Sequence, residues 1–384
     1  MRICVIYDCL YPHTVGGAER WYRNLAERLA ADGHDVTYLT RRQWPRGTDP
    51  GVPGVKVIAV APDLPLYVKS GRRSVIEPLV FGLGTFFHLL RRGRRYDVVH
   101  TASFPYFHLL MAALLRSLHR YRLVVDWHEV WTREYWEEYL GGPAGFVGYA
   151  VQRLCLLVPQ TAFCFSRLHA ERLTEFGLKG RPTVLEGEYA GSLEVRPPLE
   201  AQPVVVFAGR HIPEKRASAL VPAFARAREQ APELRLEFFG DGPERPEVLR
   251  RIEELALNGS VKSHGFVGSE QLDEALRSAL CMVLPSRREG YGLIVVEASA
   301  QGTPSIVVAD PDNASTELIE EGVNGFIAPS ASPEDLAQAI LRVREAGHAL
   351  RESTADWFAR NAERLSLSHS IDVVSEAYRA NVRS

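Results

Sequence analysis

The stretch Cys281-Met282-Val283-Leu284-Pro285-Ser286-Arg287-Arg288-Glu289-Gly290-Tyr291-Gly292-Leu293-Ile294-Val295-Val296-Glu297 decides the fold. Its first five residues read as a buried strand, and Leu293 to Gln301 reads as a buried helix. Between them lies a Gly-x-Gly turn. One carboxylate, Glu289, is expected in the loop that leaves the strand. The other, Glu297, is expected about one turn into the helix. The first backbone N–H groups of such a helix have no partner within it and favour an anion. Carboxylates that bind hydroxyls, beside a helix start that binds phosphate, suit a ligand that is both sugar and phosphate.

The same strand-then-helix unit recurs in both directions. Upstream, Ile3–Tyr7 is a strand by composition, Gly16-Gly17 makes a turn, and Ala18, Trp21, Tyr22, Leu25, Ala26 and Leu29 recur at helical spacing. Short apolar runs follow at Val36–Leu39, Val55–Val60, Asp97–His100, Leu123–Asp126 and Ala162–Ser166. A second series starts at Val204–Ala208 and continues through Leu234–Phe239, Val261–His264, Cys281–Pro285 and Ser305–Val308. Strands alternating with helices predict parallel α/β sheets. Residues 192–203, SLEVRPPLEAQP, lack periodicity and carry three prolines, which predicts a linker. The expected organisation is a first Rossmann-like domain over 1–191, a linker over 192–203 and a second Rossmann-like domain over 204–367. A helix over 368–384 is expected to return to the first domain. Doubly wound sheets hold ligands at the carboxyl ends of their strands.

A chain of 384 residues is too long for one ordinary core and suits two domains. Charge is unevenly spread. Residues 1–195 hold 24 Lys+Arg against 19 Asp+Glu, so the first half is basic and the rest acidic. Basic clusters occur at Lys69…Arg72-Arg73, Arg91-Arg92…Arg94-Arg95 and Arg116…Arg120…Arg122. They point either to an anionic partner, such as a membrane surface or phosphorylated acceptor, or to a solvated face. The five cysteines show neither metal-ligand nor redox spacing, which predicts free thiols in a reducing compartment. Met1-Arg2-Ile3 enters a strand at once, so no signal peptide is expected. Val75–Leu90 is the most apolar run and is expected to be a core helix, with a helix lying on a membrane surface as the alternative.

Three further motifs sit where strands end. Gly209-Arg210-His211-Ile212-Pro213-Glu214-Lys215 places two cations five residues apart, able to converge on a diphosphate. Gly240-Asp241-Gly242-Pro243 is a tight turn. Asp126-Trp127-His128-Glu129 puts a histidine at a strand end, with His100 as the competing candidate. Neither the full G-x-G-x-x-G fingerprint nor a P-loop is present, so dinucleotide dehydrogenase and P-loop readings lose their support. Asp310–Glu317, DPDNASTE, looks like a capped helix start.

Taken together, E-G-[aromatic]-G-L-x-x-x-E at 289–297, G-R-x-x-x-x-K at 209–215, G-x-G-P at 240–243 and the Gly16-Gly17 loop resemble family 4 of the retaining GT-B glycosyltransferases. The resemblance runs over nearly the whole chain. It implies a GT-B fold, with two Rossmann-like doubly wound domains facing across a cleft, acceptor on the first and nucleotide-sugar donor on the second. It implies that Arg210 and Lys215 hold the donor diphosphate and that Glu289 holds sugar hydroxyls. It further implies that Glu297 binds the ribose and that His128 positions the sugar. Gly16, Gly17, Gly240, Gly242, Gly290, Tyr291, Gly292, Leu293 and Ile294 would line the donor. No cofactor or metal is expected, only a UDP- or GDP-linked sugar. The expected reaction is retaining, metal-independent transfer of a hexosyl or N-acetylhexosaminyl unit to a hydroxyl acceptor, lipid-linked or a cell-surface glycan or glycolipid precursor. The expected location is cytoplasmic, with peripheral contact at the inner face of the membrane through the basic half, and no nucleic acid is expected to bind. A nucleotide-sugar 2-epimerase and a non-catalytic binding protein of the same fold are the alternatives.

Overall fold

The computed structural model describes residues 1–66 and 74–380, the side chain of Ala380 excepted. Lys69, Arg72 and Arg73 of the first basic cluster, and the part of the expected last helix beyond 380, lie outside the described residues. The chain forms two compact units. One is Met1–Glu188 together with the chain from Ser370, and the other is Tyr189–His369.

The first unit is a seven-stranded parallel sheet. Its strands are β1 (Arg2–Ile6), β2 (Asp35–Arg41), β3 (Lys56–Ala61), β4 (Val98–Ala102), β5 (Arg122–Trp127), β6 (Thr161–Cys164) and β7 (Thr183–Val184). They lie in the order β3-β2-β1-β4-β5-β6-β7. Strands buried on both faces are apolar throughout rather than alternating, and Ile3 to Ile6 are fully buried. Helix α1 (Gly17–Ala31) turns Trp21, Tyr22, Leu25, Ala26 and Leu29 inward, the spacing read from the sequence. Helices α2 (Ile76–Arg92), α3 (Phe107–His119), α4 (Arg133–Leu140), α5 (Gly142–Leu156) and α6 (Arg167–Glu175) complete the crossovers.

The second unit is a six-stranded parallel sheet. It comprises β8 (Val204–Ala208), β9 (Arg235–Phe239), β10 (Val261–Gly265), β11 (Cys281–Leu284), β13 (Ser305–Val308) and β15 (Gly325–Ala328), in the order β10-β9-β8-β11-β13-β15. Two-residue strands β12 (Arg288–Glu289) and β14 (Asp312–Asn313) pair separately. Helices α7 (Leu220–Gln230), α8 (Arg245–Glu254), α9 (Ser269–Ser278), α10 (Leu293–Ala300) and α11 (Pro333–Leu365) pack around the sheet, with α11 broken at Gly347. Buried Arg351 donates to Leu199 O, Ala279 O and Arg277 O, tying the proline-rich 192–203 stretch to this unit. Helix α12 (Leu367–Ala380) follows. From it Ser370 Oγ accepts from Gly187 N at 3.1 Å, and Tyr378 OH bonds His100 Nδ1, both within the first unit.

Each sheet reverses direction once, between β1 and β4 and between β8 and β11. Such a switch point opens a crevice at the carboxyl ends of the two strands.

Three expectations are corrected. Glu289 belongs to β12 rather than to an open loop, because its backbone pairs with Asn313. Asp310–Glu317 does hold a capped start, Asn313 Oδ1 accepting from Ser315 N, but it follows β14 and opens only a 3-10 turn, Ala314–Leu318, not a longer apolar helix. Buried Asn313 turns its amide onto Ser286 O and Val308 O, which holds the segment against β11 and β13. Helix α2 is not wholly core. It buries Phe81, Gly82, Thr85 and Leu89, while Leu79, Leu83 and Phe87 are exposed.

Candidate functional site

The switch point of the second unit gathers the motifs read from the sequence. β8 ends in Gly209-Arg210, and the chain passes through a 3-10 turn at Pro213–Lys215. β11 ends at Leu284, and Ser286 to Gly292 lead into α10. Arg287 N donates to Glu214 O at 2.8 Å, stitching the two strand ends together.

Lys215 Nζ stands 2.5 Å from Glu289 Oε1, and Ser286 Oγ donates to the same oxygen at 2.7 Å. Ser286 is fully buried and Glu289 only 7% exposed, whereas the Lys215 side chain is 20% exposed. An isolated carboxylate so buried would be costly, and a cation with a hydroxyl offsets that cost. The sequence reading gave Lys215 to phosphate and Glu289 to sugar; the structure joins the two directly. Arg210 is exposed, two residues past the end of β8.

Asn313, paired through its backbone with Glu289, organises the segment beside this cluster. Its Oδ1 accepts from Ser315 N at 3.1 Å and Ser315 Oγ at 2.6 Å. Ser315 in turn lies under Gly292, the residue before α10. Gly292 has φ +106°, and a Cβ there would stand 2.6 Å from Ser315 Cβ. Only glycine adopts this backbone beside that neighbour without strain. Leu293 and Ile294 open the helix and are partly exposed, Tyr291 is buried, Gly290 is partly exposed, and Glu297 is half-buried one turn into α10. The Leu293 and Ile294 amides lie in the first turn, where the helix dipole favours an anion.

The Gly240–Pro243 turn lies against the β8 end. A Cβ on Gly240, at φ +118°, would stand 2.0 Å from Gly209 O, and one on Gly242 would stand 2.5 Å from His211 O. Both approaches are to backbone, so glycine is required there by packing. His211 N donates to Asp241 O, and Glu244 N donates to His211 O. These bonds fix the Gly209–Lys215 segment. The His211 ring is fully buried, and burial lowers its pKa.

In the first unit the two histidine candidates differ. His100 is fully buried; its Nε2 lies 2.7 Å from Asp126 Oδ1, and its Nδ1 bonds Tyr378 OH. It is part of a structural network that also takes Trp21 Nε1, 2.7 Å from Asp126 Oδ2. His128 is partly exposed beyond the end of β5 and stacks on Phe165, with ring centres 4.5 Å apart and planes within 4°. Its Nε2 has no hydrogen-bond partner among the described residues. Desolvation holds its pKa down to about 4, against the pull of Asp126 and Glu129. A histidine titration by NMR is therefore expected to find this ring neutral down to about pH 4; an inflection near the ordinary value of about 6.5 would contradict the apolar setting.

Gly16 precedes α1 in extended backbone that any residue adopts, and a Cβ there would meet only the flexible end of Glu19. A Cβ on Gly17 would meet nothing within 4 Å. Neither backbone conformation nor packing in the first unit requires glycine at this pair.

Sequence reasoning missed Ser286, Asn313, Ser315 and Glu188. The serines and asparagine are small polar residues whose signal is visible only once strands 20 or more residues apart are neighbours. Glu188 follows β7, and burial, with Asp126 adding, pushes its carboxyl up to about 8. Among the described residues no group of three or more His, Cys, Asp or Glu is placed to hold a metal ion.

Comparison with known proteins agrees with this geometry. Residues 194–363 match the family Glycosyl transferases group 1, and residues 16–186 match the Glycosyl transferase 4-like domain. Alpha-D-kanosaminyltransferase of Streptomyces kanamyceticus is 30% identical over 47% of this chain and 46% of its own, so the match spans about half of that relative. Glycogen synthase of Mycobacterium tuberculosis is 27% identical over 90% of this chain and 85% of its own. Among solved structures, sucrose-phosphate synthase from Thermosynechococcus elongatus superposes with a TM-score of 0.80 at 20% identity, covering 100% of this chain and 99% of the other.

Proposed function

We propose a reaction from this premise: the chain belongs to the family 4 glycosyltransferases, enzymes of the GT-B fold. It moves a sugar from a nucleotide-diphosphate donor to an acceptor hydroxyl, the sugar being a hexosyl or N-acetylhexosaminyl unit and the configuration being retained. The observation that carries this reading is the Lys215–Glu289–Ser286 cluster at the β8/β11 switch point, with exposed Arg210 and the start of α10 on the segments that leave those two strands.

In this reaction the bond from the anomeric carbon to the diphosphate oxygen breaks, and a bond to the acceptor oxygen forms on the same face. The acceptor proton passes to the departing phosphate. Negative charge grows on the leaving group, so catalysis needs donors fixed in place before the bond breaks. Arg210, Lys215 and the first amides of α10 are those donors, each worth roughly 3–4 kcal/mol. The charge that neutralises the diphosphate comes from side chains in this reading, and the transfer is metal-independent. Donor binding draws Lys215 onto phosphate and releases Glu289 for sugar hydroxyls. Glu297 takes the ribose hydroxyls, a contact that changes little in the transition state. His128, neutral at pH 7, positions the sugar by hydrogen bonds.

The test is product stereochemistry. With an acceptor found by nucleotide release, and with EDTA present, the anomeric proton of the product should show the donor's own configuration by NMR. An inverted product would overturn the retaining mechanism. Exchange at the sugar's second carbon without acceptor would favour the 2-epimerase reading.

A further inference from the structure

Helices α2, α3 and α5 form one outer layer of the first unit. Gly82 of α2 lets Phe107 of α3 approach closely, since a Cβ there would lie 2.9 Å from Phe107 Cβ. Tyr106 OH, just before α3, donates to Gln152 Oε1 of α5 at 3.0 Å, and Arg116 of α3 donates to Pro159 O beyond α5. The inward faces join one core.

The outward faces are also apolar. On α2, Ile76, Leu79, Leu83, Phe87 and Leu90 run down one side, each between 42% and 67% exposed. Leu114 and Leu118 of α3, and Phe146 and Leu154 of α5, are also exposed, each by more than half, with the Arg133 guanidinium of α4 lying 5.4 Å from the Phe146 ring centre. A surface helix of a globular domain ordinarily puts polar residues outward, and contiguous exposed apolar surface marks an interaction site.

On these three helices the charges are of one sign, while α4, packed on α5, brings exposed Glu134 and Glu138 to the far edge of the face. The three helices contain a single carboxylate by sequence, Glu77, and it is buried. At the end of α2, Arg91, Arg92, Arg94 and Arg95 are all exposed. The Arg91 guanidinium lies 5.5 Å from the Phe87 ring centre, so cation and apolar stripe are contiguous. A second copy seated on this face would bring four more arginines and no exposed carboxylate from these three helices to meet them, at an electrostatic cost. A bilayer surface bearing anionic headgroups complements both features at once. None of the described helices is long and apolar enough to cross a membrane.

We propose that the outer face of α2, α3 and α5 docks on anionic lipid bilayers, with the leucines and Phe87 entering the headgroup boundary and the arginines meeting lipid phosphates. The inference goes beyond the transfer reaction and does not depend on it.

The test is co-sedimentation of the full chain with vesicles of phosphatidylcholine, alone or mixed with phosphatidylglycerol. Binding to the anionic vesicles is expected, weakening with salt and at least about tenfold weaker on phosphatidylcholine alone, since each basic residue near the surface adds about fivefold. The double substitution Leu83→Glu with Phe87→Glu changes only exposed positions and should leave the circular dichroism spectrum unchanged while lowering binding at least about tenfold. Changing Arg91, Arg92, Arg94 and Arg95 to Gln should abolish the preference for anionic lipid. Failure to sediment with either vesicle, or undiminished binding of the double variant, would overturn the proposal. So would a wild-type dimer in ultracentrifugation that the double variant dissociates, which would assign the face to a second copy.

Discussion

Replacing Lys215 with alanine is expected to cut turnover at least about a hundredfold while the chain stays folded, the loss typical of removing one preorganised donor from a developing anion. Two effects combine in it. The leaving diphosphate loses a cation, and Glu289 is left with Ser286 as its remaining partner of the pair described above. A nearly buried carboxylate without its cation tends to shift its position, so the sugar contacts should be disturbed as well. Lys215→Arg keeps the charge on a longer, planar group and should recover only part of the rate. Steady-state kinetics with circular dichroism as the fold control would decide the matter. Near wild-type turnover in Lys215→Ala would remove this residue from the site.

The second large effect concerns stability. Asp126 is fully buried and faces His100 at 2.7 Å and Trp21 Nε1 at 2.7 Å. Burial alone would raise its pKa, but the charge and hydrogen bond of His100, with His128 and Trp21, outweigh it and hold the carboxyl below its ordinary value. Asp126→Ala leaves a buried ring and an indole N–H without an acceptor. The expected cost is about 3–5 kcal/mol, which for a unit of this size lowers the midpoint by about 10 °C. The same group gives a pH dependence. Its pKa is lower folded than unfolded, so the unfolded chain takes up the proton first. The stabilisation is present above the ordinary carboxylate range and is lost as pH falls through the depressed value. Calorimetry should show wild type losing this increment on acidification and Asp126→Ala lacking it. A variant within about 1 kcal/mol of wild type would show that the network contributes little.

What could be read in the sequence follows from what each signal depends on. Strands such as Ile3–Tyr7 and Val204–Ala208 are legible because burial on both faces makes them continuously apolar. The edge strands β7 and β15 are not, being short and, in β15, opened by a glycine. The Gly292 and Gly240 turns are legible as motifs, and packing supplies the reason for them. The Lys215–Glu289 contact joins residues 74 apart. No local pattern encodes it, because it arises only when β8 and β11 lie side by side. Asn313 reads as a helix cap and is one through Oδ1, but its Nδ2 is turned inward onto Ser286 O and Val308 O, and the helix it opens is only a 3-10 turn. Helix α2 reads as core because periodicity reports apolar residues without saying which side a neighbour covers. His100 and His128 both read as strand ends in the sequence, but β4 runs on to Ala102 and keeps His100 inside it, while His128 lies just past β5; their neighbours, Asp126 and Tyr378 against Phe165, separate them further.

The central claim is that the second unit holds a nucleoside diphosphate at the β8/β11 switch point through Lys215. Thermal shifts of wild type and Lys215→Ala with saturating UDP, GDP, ADP and TDP test it most directly. A ligand at a hundred times its Kd stabilises the fold by about 2.7 kcal/mol. The account predicts a rise in midpoint with one nucleotide in wild type and a much smaller rise in the variant at the same concentration. No shift with any nucleotide, or an equal shift in both proteins, would contradict it.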